Sequence, residues 1–414
     1  MTTPAPESSF GRRDFLVQTA GALSAVAILP AFAAAASLAA PLNIAVIGLG
    51  RQGRAIIAEL QKMEGVKITA VCDNDPTRLD SGAKRVQGAA SYATHTDLIA
   101  KATDTTAVII ATPTHLHKQI AVDLLAAGKH VYCEAPLAHT IDDSKAILAA
   151  AKAAKSTFQP GLEGRCNPIY KLARTFFRSD SVRDLISMRG QFHQKTSWRV
   201  PASDASREKA LNWRLDEAVS TGLPGEWGTH QFDVFCWYRD QYPATIRTVG
   251  GIFFHKDDRT VADTISTQLV WADGRAANYE ATLANSYQGK HELFHGSNAA
   301  IKLAWSHGWM FKEADAPTQG WEVYANRQQF HNDEGITLIA NATKLAEQGK
   351  LKEGVGMPQT SLYYALEAFV QTVANGAKQL ATAEDGHRAT VLGILANQSL
   401  REKKEVAIDK DMLG

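Results

Sequence analysis

Neither sign of charge is in excess in this 414-residue chain: 44 Lys and Arg stand against 43 Asp and Glu, for a formal net charge of +1. Such a balance offers no field to draw in a polyphosphate backbone or an anionic membrane surface, so neither nucleic acid nor a lipid surface is an expected partner. Cysteine is scarce. The 4 that occur, Cys72, Cys133, Cys166 and Cys236, form no CxxC pair and no His/Cys cluster with ligand spacing, so no metal site is expected. Three fall at or near expected strand ends and one in an apolar helical pattern. Buried free thiols, without a structural disulfide, are the expectation. No internal repeat occurs and, after residue 40, no low-complexity segment. What is present is ordinary for a globular protein, 45% hydrophobic and 21% charged, in a chain long enough for two domains with filled cores.

The first 40 residues stand apart. Gly11-Arg12-Arg13-Asp14-Phe15-Leu16 pairs two arginines before an apolar position, and an Ala-rich, charge-free run follows from Ala20 to Ala40, broken by Pro30. Small residues from Ala34 to Ala40 suit signal-peptidase cleavage. The segment resembles a twin-arginine export signal. Residues 1–40 are therefore set aside as a leader, with an uncleaved anchor as the alternative, and the mature protein is expected in the periplasm with no membrane association after cleavage.

The chain proper begins with Asn43-Ile44-Ala45-Val46-Ile47, a run apolar enough for a strand buried on both faces. It enters Gly48-x-Gly50-x-x-Gly53 and then a helical pattern to about Lys62. Gly48 permits the tight turn, Gly50 lets backbone approach a pyrophosphate, and Gly53 lets helix pack on strand. Phosphates would rest on the free N–H groups that open the helix, beside Arg51 and Gln52. A second strand, Val66 to Cys72, ends at Asp73, where such domains place an acid against an adenosine ribose. A carboxylate there favours NAD over NADP, although Arg78 nearby leaves NADP open. Strands at Ala107–Ala111 and Lys129–Cys133, each followed by a helix, extend a parallel sheet. The residues just beyond their ends, Thr112, Pro113 and Glu134, lie on the edge where such sheets bind ligands.

After about residue 160 the pattern changes. Ile186–Gln194, Thr248–His255, Thr264–Ala272 and Arg275–Leu283 alternate apolar and polar residues. They read as strands of a mostly antiparallel sheet with one face covered, which leaves the other for a dimer or tetramer contact. Helices are expected at Ser361–Asn375 and from Ala383 to Lys403. The fold expected is thus a doubly wound dinucleotide-binding domain at 41–160 and an α/β domain with a large open-faced sheet at 161–414, the last helices packing back on the first. The cleft between the domains is the default site.

Four segments together carry a resemblance: Gly48-Leu49-Gly50-Arg51-Gln52-Gly53, Ala111-Thr112-Pro113-Thr114-His115-Leu116-His117, Glu134-Ala135-Pro136-Leu137-Ala138, and Gly222 to Asp233. With these the chain after residue 40 resembles the glucose-fructose oxidoreductase/inositol dehydrogenase/MocA family. The resemblance implies NAD as cofactor and oxidoreduction of a sugar or polyol. It implies cofactor contacts from Gly48, Gly50, Arg51, Gln52, Gly53, Asp73, Thr112, Pro113, His117, Glu134 and Arg214. Asn212-Trp213-Arg214 and the exported N-terminus also resemble the NAD-dependent alpha-N-acetylgalactosaminidase branch. One departure is plain: the family's Glu-Lys-Pro lysine is Ala135 here. An ammonium can hold a developing alkoxide or relay a proton, and a methyl group can do neither.

In Glu226-Trp227-Gly228-Thr229-His230-Gln231-Phe232-Asp233, helical geometry would put Glu226 and His230 on one face with Asp233 a turn beyond. His230 is expected as the acid/base for the alcohol proton, its pKa near neutrality, with Glu226 orienting it or holding a second hydroxyl. Arg165, Trp213 and Asp233 are expected at the substrate, Arg165 having a structural ion pair as its alternative. Tyr287, Trp305, Trp309 and Trp321 read as core aromatics, a carbohydrate groove being their second reading. An exported enzyme has no NAD pool to draw on, so a tightly held cofactor and a redox-neutral cycle follow from the leader. Three readings stand: a carbohydrate oxidoreductase, an NAD-dependent glycosidase working by oxidation, elimination, addition and reduction, and a non-catalytic binding protein that keeps the fold.

Overall fold

The structure is a computed structural model that describes residues 37–414 except 203, 321, 323–324, 331–332, 341–344, 346–347 and 351–354. Residues 1–36 of the export leader and Trp321 lie outside the described residues.

Six strands form the first sheet: β1 (Leu42–Ile47), β2 (Val66–Cys72), β3 (Ala90–Tyr92), β4 (Ala107–Ile110), β5 (His130–Cys133) and β6 (Phe158–Pro160). Their order is β3-β2-β1-β4-β5-β6 and every pairing is parallel. The period of two explains why these strands read as unbroken apolar runs. Ile44 and Val46 face one hydrophobic cluster and Ala45 and Ile47 the other. Crossover helices α1 (Arg51–Leu60), α2 (Pro76–Ala83), α3 (His95–Lys101), α4 (His117–Ala126) and α5 (Ile141–Ala153) cover the two faces. The order reverses between β1 and β4, which opens a crevice at their carboxyl ends.

Beyond β6 come α6 (Glu163–Cys166), α7 (Pro168–Phe177), α8 (Ala205–Leu211), α9 (Thr229–Arg239) and a ten-stranded sheet. Its strands are β7 (Leu185–His193), β8 (Thr245–Gly251), β9 (Thr264–Val270), β10 (Ala276–Thr282), β11 (Lys290–Gly296), β12 (Ala299–Leu303), β13 (Gly308–Lys312), β14 (Arg327–Phe330), β15 (Asp333–Thr337) and β16 (Val406–Ala407). All pairings are antiparallel except β7 with β10. One face packs on residues of α7, α9 and α11 (Ala383–Glu402). The other face presents Ile186, Val249, Ser266, Gln268, Asn278 and Glu280 to solvent.

Helix α10 (Ser361–Asn375) returns to the first domain, where Leu362, Leu366 and Phe369 join Ile56, Ile57 and Leu60 of α1 in one cluster. Helix α11 bridges both domains: the Leu137 N–H donates to Thr390 Oγ1 at 2.9 Å, and Ser144 Oγ meets His387 Nδ1 at 2.8 Å.

Two differences from the sequence pattern have local causes. The strand expected at Thr248–His255 runs instead over Thr245–Gly251. The Asp263 carboxylate takes the N–H groups of Phe253, Phe254 and His255 at 3.0, 2.9 and 2.8 Å, which pulls those residues off the ladder. Strand β11 carries the charged residues Lys290 and Glu292 among its inward positions and escaped the alternation test. All four cysteines are buried free thiols, and burial pushes the Cys72 thiol up to about 12.

Candidate functional site

The glycine turn is dictated by sterics. Gly48 sits at φ +92, and a Cβ there would meet the Ala111 carbonyl oxygen at 2.5 Å; one on Gly53 would meet the Gly48 oxygen at 1.8 Å. Gly50 differs. A Cβ there would come near only the Arg78 guanidinium, at 3.5 Å, so the space above the start of α1 is open. That helix has no side-chain cap and no acid in its first turn, and exposed Arg51 follows Gly50. Uncapped N–H groups beside a guanidinium and an unfilled hollow form an anion site. Thr112, just beyond β4 and ahead of Pro113, has a buried hydroxyl with no partner of its own. These residues fit a dinucleotide laid across the carboxyl edge, with pyrophosphate at Gly50-Arg51.

Asp73 lies where the sequence places it. Its Oδ2 accepts the Leu49 N–H at 2.7 Å and its Oδ1 the Asp75 N–H at 2.8 Å, so one carboxylate braces both turns of the adenosine pocket. Each oxygen keeps a second lone pair for a ribose hydroxyl. No motif pointed to Arg207. From α8 in the second domain its Nε reaches Asp75 Oδ2 at 2.6 Å and holds that carboxyl below its usual range. The two domains are thereby tied on the adenosine side.

At the far end of the crevice, Gln52 Nε2 donates to Glu134 Oε1 at 3.0 Å. Burial, and then the nearby Glu163, push Glu134 up to about 8. The next peptide, Ala135–Pro136, is cis. His117 is a correction. It is 2% exposed, with Nδ1 3.1 Å from the Pro136 oxygen and Nε2 2.9 Å from the Thr112 oxygen. Both ring nitrogens face backbone carbonyl oxygens, and the neutral ring donates to one of them, so His117 positions the Thr112 and Pro136 loops and turns neither nitrogen to a cofactor. His115 meets Trp213 edge-on, 5.8 Å between ring centres.

Glu226 and His230 are not paired. Pro224–Gly228 is a π-helical turn leading into α9, and the Glu226 carboxylate is taken up by other partners. Glu226 accepts from Thr221 Oγ1 at 2.7 Å, from Thr114 Oγ1 of the first domain at 3.2 Å, and from Arg214 Nε at 3.4 Å. No hydrogen bond joins it to His230 among the described residues. Glu226 is thus a link between domains, and Arg214, stacked 4.8 Å over Trp213, is bound to it.

The expected substrate role of Arg165 and Asp233 is a second correction. Arg165 Nε and Nη2 grip Asp233 at 2.9 and 2.8 Å, and its Nη1 lies 3.1 Å from Asp385 of α11. Both members are buried, and the arrangement is the structural ion pair that was the alternative.

His230 stands edge-on to Trp305, 6.4 Å between ring centres, and does not have its expected proton affinity. Burial, and then the charge of Lys290, push its pKa down to about 3. Its Nδ1 is buried and without a partner. The imidazole is neutral at neutral pH, ready to give or take a hydrogen bond and poorly suited to hold a proton.

Aromatic rings wall this end. Phe192 stacks on Trp227 at 3.8 Å, and Trp198 meets Trp227 edge-on at 5.3 Å. Trp198 and Trp305 sit at φ +63 and +62, a conformation a bulky residue adopts only when its surroundings enforce it. Asn167 Nδ2 holds the Trp305 carbonyl at 2.7 Å, and Glu292 takes the indole N–H at 3.2 Å. Of the other aromatic candidates, Tyr287 is exposed and Trp309 stacks on His307. Lys290, Nζ 3.2 Å from the Trp305 ring centre, went unnoticed in the sequence. Its signal was a Lys-x-Glu pair on the inward side of a strand that continues to Phe294.

A parallel sheet with a glycine-lined phosphate cradle, joined to a large open sheet that closes the crevice with histidine and tryptophan, defines a two-domain dinucleotide-dependent oxidoreductase. The profile described as oxidoreductase family, NAD-binding Rossmann fold, matches residues 42–162, and that of the family's C-terminal alpha/beta domain matches 191–408. The chain belongs to the Gfo/Idh/MocA oxidoreductase family, and NAD is its cofactor. Levoglucosan dehydrogenase of Pseudarthrobacter phenanthrenivorans is 24% identical over 312 residues, 69% of this chain and 75% of that one. A solved levoglucosan dehydrogenase in complex with NADH and L-sorbose shares the fold with a TM-score of 0.71 at 21% identity, covering 89% of this chain and 99% of that one. A glycosyl hydrolase family 109 protein of Shewanella pealeana is 34% identical over 120 residues, 27% of this chain and 26% of that one.

Proposed function

We propose that this protein is an NAD-dependent dehydrogenase acting on a hydroxyl of a sugar or polyol. One observation carries the reading: Nδ1 of His230, a ring edge-on to Trp305, and Oγ1 of Thr112, just beyond β4, are buried and unpartnered, as polar atoms that face a bound alcohol and nicotinamide would be. Gly48, Gly50, Gly53 and Asp73 would hold the pyrophosphate and adenosine, and Thr112, Gln52 and Glu134 the nicotinamide half. Bound there, NAD supplies a hydride acceptor. His230, neutral, would orient the hydroxyl by a hydrogen bond. Trp227 and Trp305 offer faces for the C–H surface of a sugar ring. The levoglucosan dehydrogenase likeness supports a carbohydrate substrate. Purified protein with NAD and a panel including levoglucosan and myo-inositol should produce NADH absorbance; NADH binding without turnover of any sugar would count against the reading.

The glycosidase reading draws on the family 109 likeness, which is confined to about a quarter of either chain. Released aglycone from an aryl glycoside, without net NADH, would select it. We infer export from Arg12-Arg13 and the alanine run, with a tightly held cofactor and a redox-neutral cycle as consequences. A mature N-terminus near Ala40 in a periplasmic fraction is the expected result. The open face of the second sheet, with Ile186 59% and Val249 52% exposed, supports a dimer or tetramer, which light scattering would reveal.

A further inference from the structure

Lys290 has no task in the dinucleotide reading, yet the fold builds a seat for it. It opens β11, and the strand's period of two turns Lys290 and Glu292 to the same face. Nζ lies 3.2 Å from the Trp305 ring centre and 4.9 Å from that of Phe192. Glu292 is occupied, accepting the Trp305 indole N–H and the Tyr170 hydroxyl, so it fixes the platform instead of pairing with the ammonium. No carboxylate comes within ion-pair distance of Lys290 among the described residues. His230 stands edge-on to the same indole, 6.4 Å between ring centres. Lys290, Trp305 and Glu163 line a cavity of about 530 Å³ whose other wall is residues 357–362. Lys62 at its rim is paired with Glu59.

We propose that Lys290, seated on Trp305 beside His230, is the group that takes the proton of the substrate hydroxyl, a task the methyl of Ala135 cannot perform. The proposal rests on the dehydrogenase reading above. A hydroxylated ligand in the cavity gives its O–H proton to the neutral amine: the O–H bond breaks and an N–H bond forms. The carbinol carbon loses its hydrogen with two electrons to NAD and becomes a carbonyl. In reverse, the ammonium returns the proton. Proton affinities agree with this division. Burial brings Lys290 down to about 8 against the opposing pull of Glu163 and Glu292, whereas His230 lies at about 3. Of these two, the lysine is the one matched to a proton exchanged near neutrality.

The test compares wild type, Lys290→Met and Lys290→Arg by NADH affinity, by kcat/KM against pH with levoglucosan and myo-inositol, and by indole fluorescence against pH without sugar. NADH affinity should be unchanged. In wild type, kcat/KM should rise through a limb near pH 8, and fluorescence should shift over the same range as the cation on Trp305 discharges. Lys290→Met should lose roughly 10²- to 10⁴-fold in kcat/KM and both transitions. Arginine keeps the charge but releases no proton at that pH, so Lys290→Arg should lose about as much. Either variant retaining activity within about threefold with the same limb would overturn the proposal. So would a wild-type fluorescence transition that survives Lys290→Met, or none at all. Should no sugar reduce NAD while NADH still binds, the dehydrogenase reading fails, and the proposal that depends on it falls with it. The fluorescence result separates the two failures, because a shift lost in Lys290→Met would still mark Lys290 as a titrating group at this site.

Discussion

The two ends of the crevice are built in opposite ways. At the adenosine and pyrophosphate end, Gly48, Gly50, Gly53 and Asp73 come from one β-α-β unit, and backbone does most of the holding. At the substrate end, Lys290, Trp305, His230, Trp227 and Phe192 come from four separate segments of the second domain, and side chains do the holding. The first end tolerates little because atoms nearly touch. The second sets chemistry by burial, which drives the proton affinities of His230 and Lys290 apart.

The sharpest way to break the comparison is at Gly53. An added methyl would lie 1.8 Å from the Gly48 oxygen, backbone against backbone. Gly53→Ala should abolish NADH binding and lower the yield of folded protein; NADH bound with wild-type affinity would mean that α1 can shift without cost. Gly50→Ala, facing only the far end of Arg78, should leave the folded yield intact and lower NADH affinity, because its methyl enters the hollow assigned to the pyrophosphate. Arg165→Ala comes next. It leaves Asp233 buried without its cation, a change worth about 3–5 kcal/mol, so the midpoint of urea unfolding should fall steeply. A variant that folds normally and only raises KM would return Arg165 to the substrate. His230→Ala ranks third. Losing one well-placed hydrogen bond to a reacting oxygen costs roughly 10²–10³ in kcat, with NADH affinity intact and, given the low proton affinity of His230, no pH limb removed. Removal of the limb near pH 8 by this change would assign that limb to His230 and not to Lys290.

The same contrast explains how much of the site was legible in the sequence. Ile44 to Gly53 could be read residue by residue because neighbours in sequence are neighbours in space, and a backbone clash needs no distant partner to be foreseen. Glu226 and His230 were found, but their relation was not. Helical spacing suggested a partnership, but Thr221 and, from the first domain, Thr114 take the Glu226 carboxylate instead. Arg165 and Asp233 lie 68 positions apart, and the helix that adds Asp385 lies farther still, so no local pattern could pair them. Lys290 was passed over because a lysine opening a strand ordinarily reaches solvent. Only Trp305, brought in by the β12–β13 turn, makes it an interior cation.

The smallest effect we expect concerns stability and exposes what the substrate end costs the fold. Arg207, the tie across the adenosine side, is partly exposed, and its loss should weaken NADH binding only a few-fold. Lys290 works in the other direction. Its pKa in the folded protein, about 8, lies below the ordinary value of 10.5, so unfolding is accompanied by proton uptake at pH values between the two. Stability therefore rises with pH across that window, and below about pH 8 the folded state bears the full cost of a buried ammonium. Removing the amine should then stabilise the fold. Lys290→Met is expected to melt roughly a few degrees above wild type at pH 7, with the gap closing as pH rises from 8 towards 10.5. A gap that is constant with pH, or of opposite sign, would mean that Lys290 is paired well enough to stabilise the fold. An amine so paired would not be free to exchange a proton, so this measurement tests the chemistry of the substrate end without any substrate.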